Sequence, residues 1–393
     1  MRLKEIIRKF LYLPVLFVAP IVFLSFLILL PFFWIDRLVK KTLLDKKPRI
    51  IYGPYPIIHV SIDNKGDRAL GYISDSLVYS TFYFTKDFTF NLDRYFKNPL
   101  ISPLMPYLVF LWASVKYDIF QFYYRGGLLL KRPGYQLELP LLRLAGKGII
   151  FRAHGSDVRQ EDITRKLGKY NAYTDYTHEE VAEMMKKTDD EVRGDVARAL
   201  RYGSVCLSMG DMSEYTPGSK NDVFYWGVDL KRVPYVGVKN NKIIRIVHAP
   251  NHRKFKGTRF LEKAIDSLKK KGLPVELQIV EKVPNKKALE IYKKADIIAD
   301  QFLIGWHGTF AVESMALGKP VICYIRKQSY FPSWAKCPIV SANPDNLERE
   351  LEKLVKSYDL RRKLGLAGRK YVEKVFSLEL VSKRMVEIYS RIW

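Results

Sequence analysis

The chain has 393 residues, 48% of them hydrophobic, which suffices for two cores of ordinary size and excludes a disordered tail protein. A formal net charge of +25 points to anionic partners: nucleic acid, acidic lipid headgroups or phosphate-bearing small molecules. Cys206, Cys323 and Cys337 have no metal-ligand spacing, and so sparse and odd a set speaks against a disulfide framework and for a reducing compartment.

Residues 10–35 carry no charge and are dominated by Leu, Phe, Val and Ile. The run is long enough to cross a bilayer, too long for the apolar part of a cleaved signal peptide, and is followed by no small-residue cleavage pattern. Pro14, Pro20 and Pro31 are more proline than a straight span needs, so a re-entrant helix entering and leaving on one face stays open beside a single pass. Arg2, Lys4, Arg8 and Lys9 precede the run and Arg37, Lys40 and Lys41 follow it, so flanking charge does not orient it. Attraction to an anionic membrane surface accounts for much of the positive charge. No nucleic-acid motif accompanies that charge, so nucleic acid is not expected as a partner. Residues 1–47 are therefore expected to form a membrane anchor with basic flanks.

Beyond residue 47, short apolar runs alternate with amphipathic helical stretches, the pattern of βαβ units around parallel sheets. PRIIYGP at 48–54 reads as a strand ending in a Gly-Pro loop at Gly53, and residues 63–72 as a helix. SLVYSTFYF from Ser76, DIFQFYY from Asp118, GIIFRAHGSD from Gly148 and GSVCLSMG from Gly203 are further strand candidates. The apolar stretch 100–112 is interrupted by Pro103 and Pro106 and falls short of a span, so a buried helix is expected there, with membrane contact by its outer face as a secondary reading. Ligands of such sheets lie beyond the carboxyl ends of the strands, which directs attention to the loops after Tyr52 and Arg152.

Residues 228–241, rich in Gly, Pro and Lys, read as a linker to a second series. There IIRIVHAP, VELQIV, IIAD and PVICYI are strands, TRFLEKAIDSLKKKG, NKKALEIYKKAD and TFAVESMALG helices, and three helical patterns follow from residue 343. The expected division is an N-terminal unit at 48–235, a C-terminal unit at 236–375 and a helix at 376–393 that returns to the first.

In HRKFKGT, a strand-to-helix loop, Arg253, Lys254 and Lys256 precede Gly257; such side chains neutralise a pyrophosphate, although a solvated basic loop reads the same way. In GWHGTFAVESMALGKPVI, Gly305, Gly308 and Thr309 stand where a loop enters a helix, so free amides and the positive helix end can hold phosphate or sugar hydroxyls. One turn on, Glu313 can accept hydrogen bonds from two vicinal hydroxyls, as a ribose presents them; alone it would be an acid near a helix dipole. In AHGSDVR, Ser156 and Asp157 have the spacing to cap the next helix and so fix His154. No His/Cys/Asp group has metal spacing and no DxD acid pair follows a strand, Asp189 and Asp190 reading as surface; neither a metal nor another cofactor is expected.

Together these stretches resemble retaining GT-B glycosyltransferases of the large family-four group, over roughly residues 48–393. The resemblance implies two Rossmann-like doubly wound α/β domains facing a cleft. It implies that Arg253 and Lys256 bind the donor diphosphate, that Glu313 holds the ribose hydroxyls, and that Gly308 and Thr309 form the donor loop. His154 would then be the catalytic-side residue facing the donor sugar, where its carbonyl or ring stabilises charge at the anomeric carbon. Gly53 and Asp157 would belong to the acceptor-side or phosphate loops. One departure stands out: the family carries two glutamates separated by seven residues, and the first falls on Gly305, beside Trp306 and His307 as candidate sugar contacts. The implied function is transfer of a sugar, with retention of configuration and without a metal, from a nucleotide sugar to a lipid-linked or membrane-proximal glycan, catalytic part in the cytosol. Two alternatives remain: a catalytically weak nucleotide-binding scaffold of the same fold, or a nucleotide-sugar epimerase or hydrolase.

Overall fold

The computed structural model describes residues 2–393, with side chains from residue 13 onward. Two sheets, each entirely parallel, carry helices on both faces. The first has β1 (Ile50–Tyr52), β2 (Ser74–Val78), β3 (Phe90–Asn91), β4 (Ile119–Tyr123), β5 (Gly148–Arg152) and β6 (Val205–Leu207) in the order β3-β2-β1-β4-β5-β6. The second has β7 (Ile244–His248), β8 (Val275–Ile279), β9 (Ile297–Ala299), β10 (Val321–Cys323) and β11 (Val340–Ser341) in the order β11-β10-β9-β7-β8. Every residue of β1, β2, β4 and β5 is buried, as expected of parallel strands covered on both sides, and their sequences are mainly apolar or small, with Asp75, Gln121 and Arg152 as the long polar exceptions.

Strand order reverses between β1 and β4 and again between β7 and β9, so each sheet opens a crevice at its carboxyl edge. The two crevices face each other. One buried apolar cluster runs through both units, from Phe120 and Phe151 to Trp306 and Phe376. The last helix, Leu378–Ile392, returns to the first unit: Val228 bridges Ser377, and Tyr389 Oη lies 2.9 Å from Tyr52 Oη and 3.1 Å from Asp67 Oδ2.

No single helix among the described residues is long and apolar enough to cross a membrane; the helices at 13–28 and 30–43 pass that test only as a pair bent by 43°. Val15, Ala19, Val22 and Phe26 form a buried stripe at helical spacing, continued by Phe33. Phe26 stacks on Phe110 at 5.2 Å, and Phe23 meets the edges of Tyr107 and Phe110. Both partners lie on the helix Met105–Lys116, which the sequence places in the first unit's core. Lys40 closes the far end by pairing with Asp36 and, at 3.2 Å, with buried Asp118. The opposite face is bare: Leu16, Phe17, Ile21, Leu24, Ile28, Trp34 and Ile35 are exposed, as are Leu108, Trp112 and Val115 of the helix they flank.

Candidate active site

The loops at the carboxyl ends of β1, β4 and β5 face those of β7, β8 and β9 across a cleft of about 710 Å³, a volume suited to a small organic ligand. His59, Arg125 and His154 line it from the first unit, and Lys256, Asn285 and Thr309 from the second.

On the first side, Asp157 lies under the loop rather than in the cleft. Its Oδ1 accepts from the amides of His154 and Gly155, each at 3.0 Å, and its Oδ2 from the amide of Tyr124 at 3.2 Å. A buried carboxylate with three amide donors is a rigid support, and it leaves the His154 ring partly open to the cleft, edge-on to Tyr123 at 5.0 Å. Burial, opposed by Asp157 and reinforced by Arg125, lowers the pKa of His154, so the ring is neutral at physiological pH.

His59, in the first turn of the helix Ile58–Ala69, bridges the two units. Its Nε2 lies 2.9 Å from the Thr309 hydroxyl, and its ring stacks on Trp226 at 5.2 Å. Burial, aided by the charge of Arg152, pushes its pKa down to about 3.

On the second side, Asp300 organises the site from beneath. Fully buried after β9, it accepts from the Gly308 amide at 2.7 Å through Oδ2 and from Lys256 Nζ at 3.0 Å through Oδ1. One carboxylate thereby fixes both the ammonium and the loop that opens the helix Thr309–Ala316. The first-turn amides of Thr309 and Phe310 have no intrahelical acceptor, so this helix end presents donors and a positive dipole end to the cleft. Further in, Asn285 Nδ2 donates to both oxygens of Glu313, at 3.0 and 3.2 Å, while Arg232 donates to Asn285 Oδ1 at 2.7 Å. Burial pushes the Glu313 carboxyl up to about 7, against the lowering effect of Asn285.

Trp306 and His307 line the cleft but are deeply buried. The indole packs over Gly210, stacks on His307 at 4.2 Å and lies 4.7 Å from Phe331, so it buttresses the loop and offers no open face for a sugar. Burial takes His307 down to about 4.

Four other expected site residues lie outside the lining. Arg253 points outward, paired with Glu281 at 2.7 Å and half exposed. Gly53 packs where a Cβ would strike the Leu77 carbonyl. Asp157 is the support just described. Gly305 has φ +90°, and a Cβ there would lie 2.6 Å from Arg326 Cζ; the guanidinium, anchored on the Ile304 carbonyl at 2.8 Å, fills the direction a side chain would take. The positive φ disfavours any side chain at this position, and the Arg326 guanidinium would have to swing aside to admit one.

His59, Arg125, Asn285 and Asp300 were not picked out in the sequence. Asp300 had a readable signal, as the acid closing the strand IIAD, and so did Arg125, which precedes two glycines after a strand. The aromatic strap between β2 and β3 is a further addition: Tyr83 and Phe84 line the cleft, and the Phe84 carbonyl accepts from the Asn285 amide at 3.3 Å. Among the described residues no three His, Cys, Asp or Glu side chains gather as a metal site would require.

No protein-family model matches the sequence, and no curated protein does. Solved structures do. A sucrose-phosphate synthase from Thermosynechococcus elongatus superposes with a TM-score of 0.58 at 13% identity, covering 88% of this chain and 99% of that one. HepE from Anabaena, in complex with UDP and glucose, gives 0.55 at 11% identity, covering 88% and 100%. An alpha-glucosyltransferase in complex with UDP and a 13-mer DNA gives 0.55 at 11% identity, covering 87% and 99%. At such identities the likeness is one of architecture, and the chain has the GT-B fold of these glycosyltransferase structures, two parallel α/β sheets facing a cleft.

Proposed function

We propose that the protein is a glycosyltransferase that moves a sugar from a nucleotide sugar to a lipid-linked or membrane-proximal glycan, with retention of configuration. The observation that carries this reading is the donor side of the cleft, where one buried acid, Asp300, holds Lys256 and the Gly308 amide at the N-terminus of the helix bearing Glu313. A diphosphate suits Lys256 and the free first-turn amides, and a ribose suits Glu313. The complex of HepE, a structure of the same fold, with UDP and glucose is in keeping with it. Lys256 and the helix dipole neutralise the departing diphosphate, while His154, neutral and held by Asp157, stands on the sugar's other side. The exposed apolar face of the helix pair 13–43 supports membrane association, with the catalytic part in the cytosol, where nucleotide sugars are made.

The test is nucleotide release from a panel of nucleotide sugars by detergent-purified protein, with and without membrane lipid extract, beside Lys256→Ala. Lipid-stimulated release from one donor, lost in the variant, is the expected result. Binding of nucleotide with no turnover of any donor would favour the second reading, a nucleotide-binding scaffold, which the closure of position 305 by Arg326 makes specific.

A further inference from the structure

We propose that Arg125 receives an anionic group of the acceptor, a phosphate or diphosphate carried by a membrane-resident lipid; the inference rests on the transferase reading above. Arg125 stands in the loop leaving β4, at the switch point of the first sheet, and lines the cleft. Its charge is felt by the His154 ring. The more deeply buried cations of the cleft each own an acid: Lys256 has Asp300 at 3.0 Å, and Arg159 has Asp211. Among the described residues the Arg125 guanidinium, half-buried, makes neither ion pair nor hydrogen bond. Lys186 and Lys282 on the rim are unpaired as well, but they are exposed and water satisfies them. A guanidinium partly withdrawn from water with no partner among the described residues is matched to an anion that arrives with a ligand.

The loop is built to present it. The Tyr124 amide is tied to Asp157, and fully buried Glu138 accepts from the amides of Leu128 and Leu129, at 2.6 and 3.1 Å. Gly126, at φ +121°, makes the turn between these anchors. The far end of the same loop abuts the helix Met105–Lys116, where Tyr107 Oη donates to the Pro133 carbonyl at 2.7 Å, and the apolar helix pair, where a Cβ on Gly134 would lie 2.6 Å from Phe23 Cε2. One rigid segment thus runs from the cleft to the flank of the apolar surface, so an anion on a lipid reaches Arg125 from that side. The donor's own diphosphate has the same chemistry, but its assigned ligands, Lys256 and the Thr309 helix end, lie in the opposite unit.

Isothermal titration of the full chain in detergent, with farnesyl diphosphate, farnesol and UDP as probes, separates the two sources. With UDP saturating, wild type is expected to bind farnesyl diphosphate more tightly than farnesol. Arg125→Ala should lose about tenfold or more of the farnesyl diphosphate affinity while farnesol and UDP change by less than about twofold. Arg125→Lys should recover part of the loss, keeping charge without the fork. Since the Arg125 guanidinium holds no partner among the described residues, its variants should melt with wild type. A loss confined to UDP would assign Arg125 to the donor, and unchanged affinities would overturn the proposal. Absence of UDP binding in wild type would strike instead at the transferase reading.

Discussion

Glu313 is a carboxylate with a single polar neighbour in hydrogen-bond contact, Asn285, and its pKa of about 7 reflects burial. The folded value lies above the ordinary 4.5, so between those two pH values the native protein holds a proton that the unfolded chain has lost. Stability from this group is therefore full below about 4.5 and declines as pH rises through 7. Glu313→Gln keeps the shape and removes the titration. Urea unfolding at pH 5 and pH 8 should show the variant gaining on wild type at the higher pH by on the order of 2 kcal/mol. Its nucleotide affinity should fall most above pH 7, where the wild-type carboxylate is ionised. At Gly305 the expectation is the reverse of a gain of function. Gly305→Glu supplies the acid that the sequence resemblance would place there, yet it must adopt φ +90° and displace Arg326. A loss of roughly 1–3 kcal/mol of stability by thermal melting, with no rise in sugar transfer, should result.

At the scale of elements, what the sequence discloses follows burial. β1, β4, β5 and β7 read as mainly apolar runs because both faces are covered; β8, a partly buried edge, alternates apolar and polar residues instead, and the two-residue edges β3 and β11 leave too short a pattern. The run from Ser76 overshoots: β2 ends at Val78, and its aromatic remainder becomes the strap over the cleft. The helix expected at 63 starts at Ile58, without a side-chain cap to mark it, and this hid His59. Asn285 was illegible for another reason, since its partner Glu313 lies 28 positions away and only the fold joins them; Asp300 was readable as the acid closing IIAD, but its pairing with Lys256, 44 positions away, was not. The loop residues Lys256, Gly308 and Thr309 were legible because strand-to-helix loops meet the crevice in any such sheet. The bent helix pair invites a test by face. Phe17→Ser with Ile21→Ser and Ile28→Ser alters exposed positions and should abolish flotation with anionic vesicles at little cost in stability. Phe26→Ala, in the buried stripe, should cost about 3–5 kcal/mol and leave vesicle binding largely intact.

For the whole molecule, the cleft is spanned at its rim by ion pairs between the two units. Lys254 meets Glu180, Arg259 meets Asp175, Lys169 meets Asp345 and Lys327 meets Glu214. Pairs so largely open to solvent are individually weak, too weak to hold the fold, but together they tie the two units across the rim. Lys169→Glu with Lys254→Glu sets like charges opposite Asp345 and Glu180 and should loosen the contact between the two units. The readout is a larger radius of gyration in small-angle scattering, with the melting temperature little changed.

The returning helix has a consequence for the order of events during translation. Tyr389 meets Gln121 and Asp67 across 268 and 322 residues of sequence. At about 5–20 residues per second the ribosome delivers Tyr389 on the order of tens of seconds after those partners. Throughout that interval Asp67 waits in an unfinished interior, and the stripe from Val15 to Phe26 has left the tunnel before Phe110 exists to receive it. The growing chain therefore carries an apolar stripe with no partner of its own until the helix Met105–Lys116 has been made, and its first unit closes only when the last helix arrives.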